Sequence, residues 1–323
     1  MCVQDQGFMH HRRLILGLLL LILTACGTPV ATTGRVAIDL SSRTINVVAT
    51  TGQVGDVVSN VGGDRVQVRT LMGPGVDPHL YKASAGDITA LQNADVIFYN
   101  GLELEGRLTE IFERLAATKP TFAIAASVPE DQLRGSPDYA DSFDPHIWFD
   151  PIVWSYTVDE VAAKLSELDP NSKEQYTTNA ARYKQQITEL DAYAREQLSK
   201  IPPESRVLIT AHDAFGYFGP RYGLEVRGLQ GISTASEAGA ADVQALAEFI
   251  ASRNIRAIFV ESSVPQATIE AVQAAVRAKG KEVEIGGQLF SDALGDAGTP
   301  EGTYIGMFRS NVDTITKALA PQS

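Results

Sequence analysis

Cysteine is almost absent from this chain. There are two cysteines among 323 residues, Cys2 and Cys26, and both lie near the amino terminus. If Cys2 is lost with a leader and Cys26 is modified, no thiol remains for a disulfide or a thiolate metal site. A metal bound by the rest of the chain would therefore need nitrogen and oxygen ligands.

Positive charge and long apolar segments are also scarce. The chain has 27 lysines and arginines against 39 aspartates and glutamates, a formal net charge of −12. This balance argues against a nucleic acid or an anionic surface as a partner, and it suits attraction of cations. Beyond the first 25 residues, no segment is apolar enough to cross a membrane as a helix of about 20 residues.

The amino terminus has the pattern of a secretory signal. Basic residues at positions 11–13 precede an apolar run at 14–23, which is too short to span a bilayer. The sequence LTAC that ends at Cys26 resembles a bacterial lipobox, which implies cleavage before Cys26 and lipidation of its thiol. An ordinary signal peptide with a chance cysteine is the alternative, and Met9 is a second candidate start. We expect an extracytoplasmic protein, anchored to the cell membrane by lipid only.

The rest of the chain divides into two similar halves around one helical segment. Short β-rich runs alternate with helical stretches in each half, which predicts an α/β fold with parallel sheets. We assign 1–25 to a signal peptide, 26–43 to a flexible tether, 44–168 to an N-terminal lobe, 169–202 to a linking helix and 203–323 to a C-terminal lobe. Shorter helices are predicted near 54–61, 85–93, 107–117, 214–222, 242–253, 266–278 and 302–319.

The linking segment has the pattern of one continuous helix. It has no glycine or proline between Pro170 and Lys200. Its apolar positions alternate at spacings of four and three residues, which is one face of a helix about 45 Å long. They are Tyr176, Ala180, Tyr183, Ile187, Leu190 and Ala194. We expect a stiff spine along both lobes; an ordinary surface helix within one domain is the alternative.

Three histidines remain outside the leader, and each lies in a turn or at a strand end. His79 ends the segment GVDPH, His146 lies in DPHIWFDP and His212 lies in ITAHDAF. Neutral imidazole is the commonest ligand of transition metals. Ligands of open parallel sheets bind at the carboxyl ends of the strands, so the three rings can converge there. In both Asp-Pro-His segments the aspartate could orient an imidazole or a backbone amide.

A fourth ligand is expected from the loop after the last strand. Asp292 lies there, and a carboxylate would complete a site of three nitrogens and one oxygen for a divalent cation. Asp213, Glu237 and Asp296 compete with it for this role on sequence grounds.

Together these segments resemble a known family, the metal-binding solute receptors of bacterial ABC transporters for zinc and manganese. These are the cluster A-I lipoproteins, also called the adhesin B or zinc-uptake family. The matching segments, in family order, are GVDPHLY from Gly75, ADVIFYNGLELE from Ala94, DPHIWFDP from Asp144, HDAFGYF from His212 and QGIST from Gln230.

The resemblance implies a fold, a ligand set and partners. It implies two (β/α)4 lobes joined by one long spine helix, with one metal ion per chain held between the lobes. The implied ligands are His79, His146, His212 and Asp292. The implied partners are the metal ion and a membrane permease with its ATPase, and we expect the receptor itself to be a monomer.

Two departures from the family pattern bear on the metal. Zinc-specific members often carry a loop rich in histidine before the second ligand, whereas residues 127–143 contain four acidic residues and no histidine. Tyr81 is followed by Lys82-Ala83, where many members have Glu-Pro. Three imidazoles with one carboxylate favour Zn²⁺. Mn²⁺ is a close second, since members with this ligand set are assigned to both metals.

Rival functions make different demands on the sequence. A zinc-dependent hydrolase needs an open coordination position and a base, for which Glu237 and Asp213 are candidates, but no His-Glu-x-x-His helix is present. A surface adhesin is not supported by any sequence feature. A receptor for an organic solute predicts an aromatic or arginine-lined pocket rather than clustered histidines. We therefore predict a metal receptor and not an enzyme.

Overall fold

The described part of the chain covers residues 39–136 and 142–321 of a computed structural model. The predicted signal peptide, Cys26 and most of the predicted tether lie outside it. Among the described residues, no helix combines the length and the apolar character needed to cross a membrane.

The first lobe is built on a four-stranded parallel sheet with the strand order β2-β1-β3-β4. Its strands are β1 (Ile45–Ala49), β2 (Val66–Thr70), β3 (Val96–Tyr99) and β4 (Thr121–Ala123), and its helices are α1 (Gly52–Gly62), α2 (Ala85–Asn93) and α3 (Thr109–Ala116). Successive side chains of a strand point to opposite faces. Val47 accordingly joins the core on the α1 side of the sheet, and Val48 joins the core under α2 and α3.

Two long helices follow, α4 (Pro151–Leu168) and α5 (Lys173–Leu198). The Asp150 side chain caps α4 by accepting hydrogen bonds from the backbone N–H groups of Ile152 and Val153. Pro151 occupies the first turn, where its missing N–H costs nothing. No helix is predicted from the sequence at 151–168, although Asp-Pro ahead of an apolar stretch is a helix start signal.

Helix α5 is the long helix that the sequence predicts. Its 26 residues extend about 39 Å. All six apolar positions of the predicted face are buried. The helix is shorter than the predicted 169–202 because residues 170–172 form a separate 3-10 turn and the helix ends at Leu198.

The second lobe has four strands in two hydrogen-bonded parallel pairs, β5 with β6 and β7 with β8. Its strands are β5 (Val207–His212), β6 (Glu225–Gln230), β7 (Ala257–Glu261) and β8 (Glu284–Leu289), and its helices are α6 (Phe218–Tyr222), α7 (Ala240–Arg253), α8 (Ala267–Ala278) and α9 (Tyr304–Leu319). Strand β5 lies beside β7. The α/β fold with parallel sheets and a long helix is thus confirmed.

Helix α6 begins four residues later than predicted. The segment 214–217 forms a turn against the loop of the first lobe that carries His146. Phe215 stacks on Phe149 with ring centroids 4.1 Å apart. A Cβ atom on Gly216 would lie 2.5 Å from a carboxylate oxygen of Asp144, so only glycine permits this approach. Tertiary packing here overrides the local helical pattern.

One apolar core joins the two lobes. It contains side chains of α1 and α4, the buried face of α5, and α9 of the second lobe. Trp154 of α4 and Tyr304 of α9 have ring centroids 5.7 Å apart. Each large apolar side chain buried in this way contributes about 1.5–3 kcal/mol. Separating the lobes would expose several of them, so the spine helix is not the only link.

The last residues of the predicted tether are packed on the domain. Leu40 is buried, and its N–H donates to the carbonyl of Leu168 at 2.8 Å. The Arg65 side chain donates to the carboxylate of Asp169 at 2.9 Å and to the carbonyls of Ser41 and Arg43 at 3.2 and 3.1 Å. Residues 39–43 therefore belong to the folded part of the chain.

The shared core predicts that metal loading changes the overall shape very little. Bending α5 would break backbone hydrogen bonds, and this helix has no proline or glycine at which to kink. Small-angle scattering of metal-free and metal-loaded protein should give nearly equal radii of gyration, because hinge closure of whole lobes is disfavoured. A compaction of several ångströms would show that the lobes move as separate bodies.

Candidate metal centre

Four side chains meet between the lobes. They are His79, His146, His212 and Asp292, and one ligand atom from each lies within 4.8 Å of the others. The carboxylate oxygens of Asp292 lie 3.8 Å from Nε2 of His79, 3.4 Å from Nε2 of His146 and 3.2 Å from Nε2 of His212. The structure thus brings together all four residues that the sequence nominated; that they bind a metal stays a prediction.

Each of these residues follows a strand of a parallel sheet or ends one. His212 is the last residue of β5, and Asp292 comes three residues after β8. His79 lies in the loop between β2 and α2, and His146 lies just before α4. Two ligand candidates therefore come from each lobe, at the sheet edges where a parallel α/β fold places its binding sites.

The two Asp-Pro-His segments form the same local turn. In the first, the Asp77 carboxylate accepts the backbone N–H of His79 at 2.8 Å. In the second, the Asp144 carboxylate accepts the backbone N–H of His146 at 2.9 Å. Side-chain acceptors two residues upstream are typical of Asx turns. The aspartates therefore fix the backbone from which each imidazole projects, as the sequence suggested.

Two of the imidazoles are also held through the ring nitrogen that faces away from the centre. Nδ1 of His146 lies 2.8 Å from the Asp144 carboxylate, and Nδ1 of His212 lies 2.5 Å from the Glu261 carboxylate. A carboxylate at Nδ1 keeps the proton on that nitrogen, so in the neutral ring the lone pair of Nε2 is directed at the centre. This is the tautomer that a metal requires.

Glu261 is the contributor that sequence analysis missed. It ends β7, and its carboxylate also accepts the backbone N–H groups of Ala211 and His212 at 2.7 and 2.9 Å. The available signal was an acidic residue at the carboxyl end of a fully apolar strand, AIFVE. The competing acids Asp213, Glu237 and Asp296 are not part of the four-residue group.

The loop that carries Asp292 is fixed from both lobes. The indole N–H of Trp148 donates to the carbonyl of Ser291 at 3.1 Å. The backbone N–H of Phe290 donates to the side chain of Asn311 on α9 at 2.9 Å. Trp148 also meets the His146 ring edge-on, with centroids 5.2 Å apart. Two ligand candidates from different lobes are thereby held by one aromatic side chain.

A strained turn supports the loop of His146. Gly101, Leu102 and Glu103 all have left-handed backbone, with φ of 88°, 54° and 64°. The buried carboxylate of Glu105 holds this turn by accepting the backbone N–H of Asn100 at 2.8 Å. The Asn100 side chain donates to the carbonyl of Pro145 at 3.1 Å. Strain of this kind persists where the surrounding structure enforces it, and here it serves the site.

The donor set fits a cation and little else. His146 and His212 are fully buried, and Asp292 is 1% exposed. Nε2 of His212 and one carboxylate oxygen of Asp292 are buried without a hydrogen-bond partner among the described residues. Buried polar atoms that stay unpaired are costly. Both atoms face the centre of the group, where a metal ion would satisfy them.

The charges of the four groups are strongly coupled in the metal-free protein. Burial lowers the pKa of His79 to about 3, so this ring is neutral. Burial also disfavours the charge on His146, but its contacts with Asp144 and Asp292 outweigh this and raise its pKa to about 9. For His212 the charges of Asp292 and Glu261 likewise overcome burial and hold the pKa well above its ordinary value.

Asp292 shows the opposite shift. Burial alone would raise the pKa of its carboxyl, but the charge of His212 and the His146 ring 3.4 Å away hold that pKa well below the usual range. The ionised form of Asp292 is therefore favoured, next to rings whose charged forms it favours in turn. A cation that binds here competes with protons on His146 and His212, so its affinity rises as the pH rises and these rings lose their protons.

The chain is similar in sequence to known metal-binding proteins. The family described as zinc-uptake complex component A, periplasmic, matches residues 47–318. Zinc-binding protein TroA of Treponema pallidum (strain Nichols) is 53% identical over 274 residues, which cover 85% of this chain and 88% of that protein. Manganese-binding lipoprotein MntA of Bacillus subtilis (strain 168) is 48% identical over 297 residues, which cover 92% and 95%.

A solved structure gives the same fold. The periplasmic zinc-binding protein TroA from Treponema pallidum superimposes with a TM-score of 0.84 at 51% sequence identity. The match covers 86% of this chain and 100% of that chain. The two-lobe architecture with a long helix is therefore shared.

The contact between Glu261 and His212 predicts a large effect of a small substitution. In Glu261→Gln the amide NH₂ faces Nδ1, which favours the tautomer with its proton on Nε2. Metal affinity should fall about 10- to 100-fold, measured by competition with a chelator of known affinity. The matched control is Glu248→Gln on α7, where the carboxylate pairs with Lys279 at the surface. Equal metal affinities of both variants would contradict the role of Glu261 in orienting the His212 ring.

Proposed function

We propose a function for this chain, which belongs to the family of zinc-uptake complex component A, periplasmic. It captures a divalent transition metal outside the cytoplasm and delivers the ion to an ABC transporter, which consists of a membrane permease and an ATPase. The ion is cargo, one per chain, and His79, His146, His212 and Asp292 are its ligands.

One observation carries this proposal. Four buried metal-binding side chains, two from each lobe, present their ligand atoms within 4.8 Å of one another. Carboxylates outside the group orient two of the three rings. Such an arrangement costs stability unless a cation offsets it, because it buries unpaired polar atoms. The names of the relatives, zinc-binding and manganese-binding, support a transported ion of this class.

The choice of metal follows from the donor set. Three imidazoles and a carboxylate favour Zn²⁺, and Zn²⁺ exceeds Mn²⁺ in intrinsic affinity at such sites. The two oxygens of Asp292 face different rings, Oδ1 toward His146 and Oδ2 toward His212. Both oxygens can therefore contact one ion, which gives five donors and also accommodates Mn²⁺. We propose Zn²⁺ as the tighter ligand and Mn²⁺ as the second.

The same proposal covers location and organisation. We propose cleavage after residue 25, lipidation of Cys26, and lobes at 44–168 and 203–323 joined by a helix within 169–202. The receptor acts as a monomer and catalyses no reaction. The full burial of His146 and His212 supports the absence of catalysis, since a catalytic metal keeps a coordination position open to substrate.

Metal should stabilise the chain through this site. An ion that binds only the folded state adds about 4 kcal/mol at a thousandfold excess over its Kd. The melting temperature of the whole chain should rise with Zn²⁺, and less with Mn²⁺ at equal concentration. His212→Ala should abolish most of this rise, because it removes a ligand of the second lobe. Calorimetry with each metal measures the effect.

A matched substitution isolates the site from general metal effects. Thr89→Val changes an exposed threonine of α2 whose hydroxyl donates to the carbonyl of Ala85, and its metal response should equal that of the wild type. Metal analysis of protein purified without added metal gives an independent check. If His212→Ala responds to Zn²⁺ as the wild type does, His212 is not a ligand and the proposed site is wrong.

A further inference from the structure

His79 is the ligand candidate whose position depends least on regular structure. It lies in the loop of residues 71–84 that connects β2 to α2. This loop contains Gly73 and Gly75, and Gly75 has a left-handed φ of 72°. His79 is also the most exposed of the four, at 7%, whereas His146, His212 and Asp292 are at 0–1%. A local movement of this loop could uncover the ion while both lobes stay packed.

One hydrogen-bond chain ties this loop to the second lobe. The Asp77 carboxylate accepts the backbone N–H of His79 through Oδ1 at 2.8 Å. Its other oxygen accepts the hydroxyl of Thr234 at 2.6 Å. Thr234 is 6% exposed and lies in the loop after β6. A single carboxylate thus joins a residue of the second lobe to the backbone of a ligand in the first.

The Thr234 loop is in turn fixed next to another ligand. Gln230, at the end of β6, is the register partner of His212 at the end of β5. The backbone N–H of Asp213 donates to the carbonyl of Gly231 at 3.3 Å. The position of Thr234 is therefore set by the strand end that carries His212. Thr234 and Asp77 link the His79 loop to that strand end independently of any metal.

The other ligands are less able to move. His146 is held at its backbone and its ring by Asp144, and the carbonyl of Asp144 accepts the hydroxyl of Tyr217 at 3.0 Å. The loop of Asp292 is held by Trp148 and Asn311. The burial and bracing of His146 and Asp292 favour the His79 loop as the part that moves.

We propose that Thr234 is a positioning residue, whose hydroxyl holds the His79 loop closed through Asp77 and so sets the rate of metal release. This inference rests on the proposed metal-binding function. Hydrogen bonds to a carboxylate are about twice as strong as those between neutral groups. Loss of this bond frees the loop without removing any ligand atom, so it should speed dissociation more than it changes folding.

Thr234→Val tests the proposal, because it removes the hydroxyl and keeps the shape of the side chain. The protein is loaded with one equivalent of Zn²⁺ and mixed rapidly with an excess fluorescent chelator, over chelator concentrations at which the rate is constant. We expect release about tenfold faster than in the wild type. Thr234→Ser keeps the hydroxyl and should stay within about twofold of the wild type. The bond does not depend on metal, so the metal-free melting temperature should fall slightly in Thr234→Val and stay at the wild-type value in Thr234→Ser.

Two further variants separate release from folding. Thr89→Val loses a threonine hydroxyl that bonds within α2, and it should release Zn²⁺ at the wild-type rate. If Thr234→Val folds poorly, Thr234→Ala provides a second side chain without the hydroxyl, and it should also release the ion faster. A merely structural role would lower the metal-free melting temperature and leave the rate of Zn²⁺ release at the wild-type value.

The outcomes distinguish this inference from the function on which it rests. If the wild type binds Zn²⁺ and both hydroxyl-free variants release it at the wild-type rate, the role of Thr234 is refuted and the receptor function stands. If Thr234→Ser releases Zn²⁺ as fast as Thr234→Val does, the hydroxyl does not control the release rate. If the wild type retains neither Zn²⁺ nor Mn²⁺, the proposed function itself fails.

Discussion

The rest of the site depends on the contacts between the carboxylate of Asp292 and three imidazole rings. This carboxylate is buried at the centre of three imidazoles, within 3.2–3.8 Å of a nitrogen of each. A buried charge without a counter-charge is strongly destabilising. The charge of Asp292 favours the protonated forms of His146 and His212 in the metal-free protein, and a divalent cation can replace that positive charge. Metal binding at this site is therefore coupled to the release of protons.

The surroundings of the four residues are rigid. The carboxylates of Asp144 and Glu261 hold the Nδ1 atoms of two rings. A core shared by both lobes keeps the distances between the four residues constant. Preformed ligands reduce the ordering cost of binding. The same rigidity makes release difficult by lobe separation. We infer that the loop of His79, which Asp77 joins to Thr234, is the element that moves.

Much of this arrangement could be predicted from the sequence, for identifiable reasons. Periodicity located the buried face of α5, and two Asp-Pro-His segments with one strand-end histidine located three of the four clustered residues. Glu261 escaped notice because its role depends on β7 lying beside β5, which no local pattern encodes. The late start of α6 was not predicted for a similar reason. The conformation at Gly216 is set by its close contact with Asp144 and not by helical propensity. Local signals gave elements and candidate ligands, whereas contacts between distant strands required the structure.

The most direct test of the central claim is X-ray absorption spectroscopy at the zinc edge of protein loaded with one equivalent of Zn²⁺. The account predicts only nitrogen and oxygen neighbours at about 2.0–2.2 Å, with the outer-shell scattering of three imidazoles. In Asp292→Asn the three imidazoles should remain while the nearest-neighbour distances change. An all-oxygen shell, or fewer than three imidazoles in the wild type, would contradict the account.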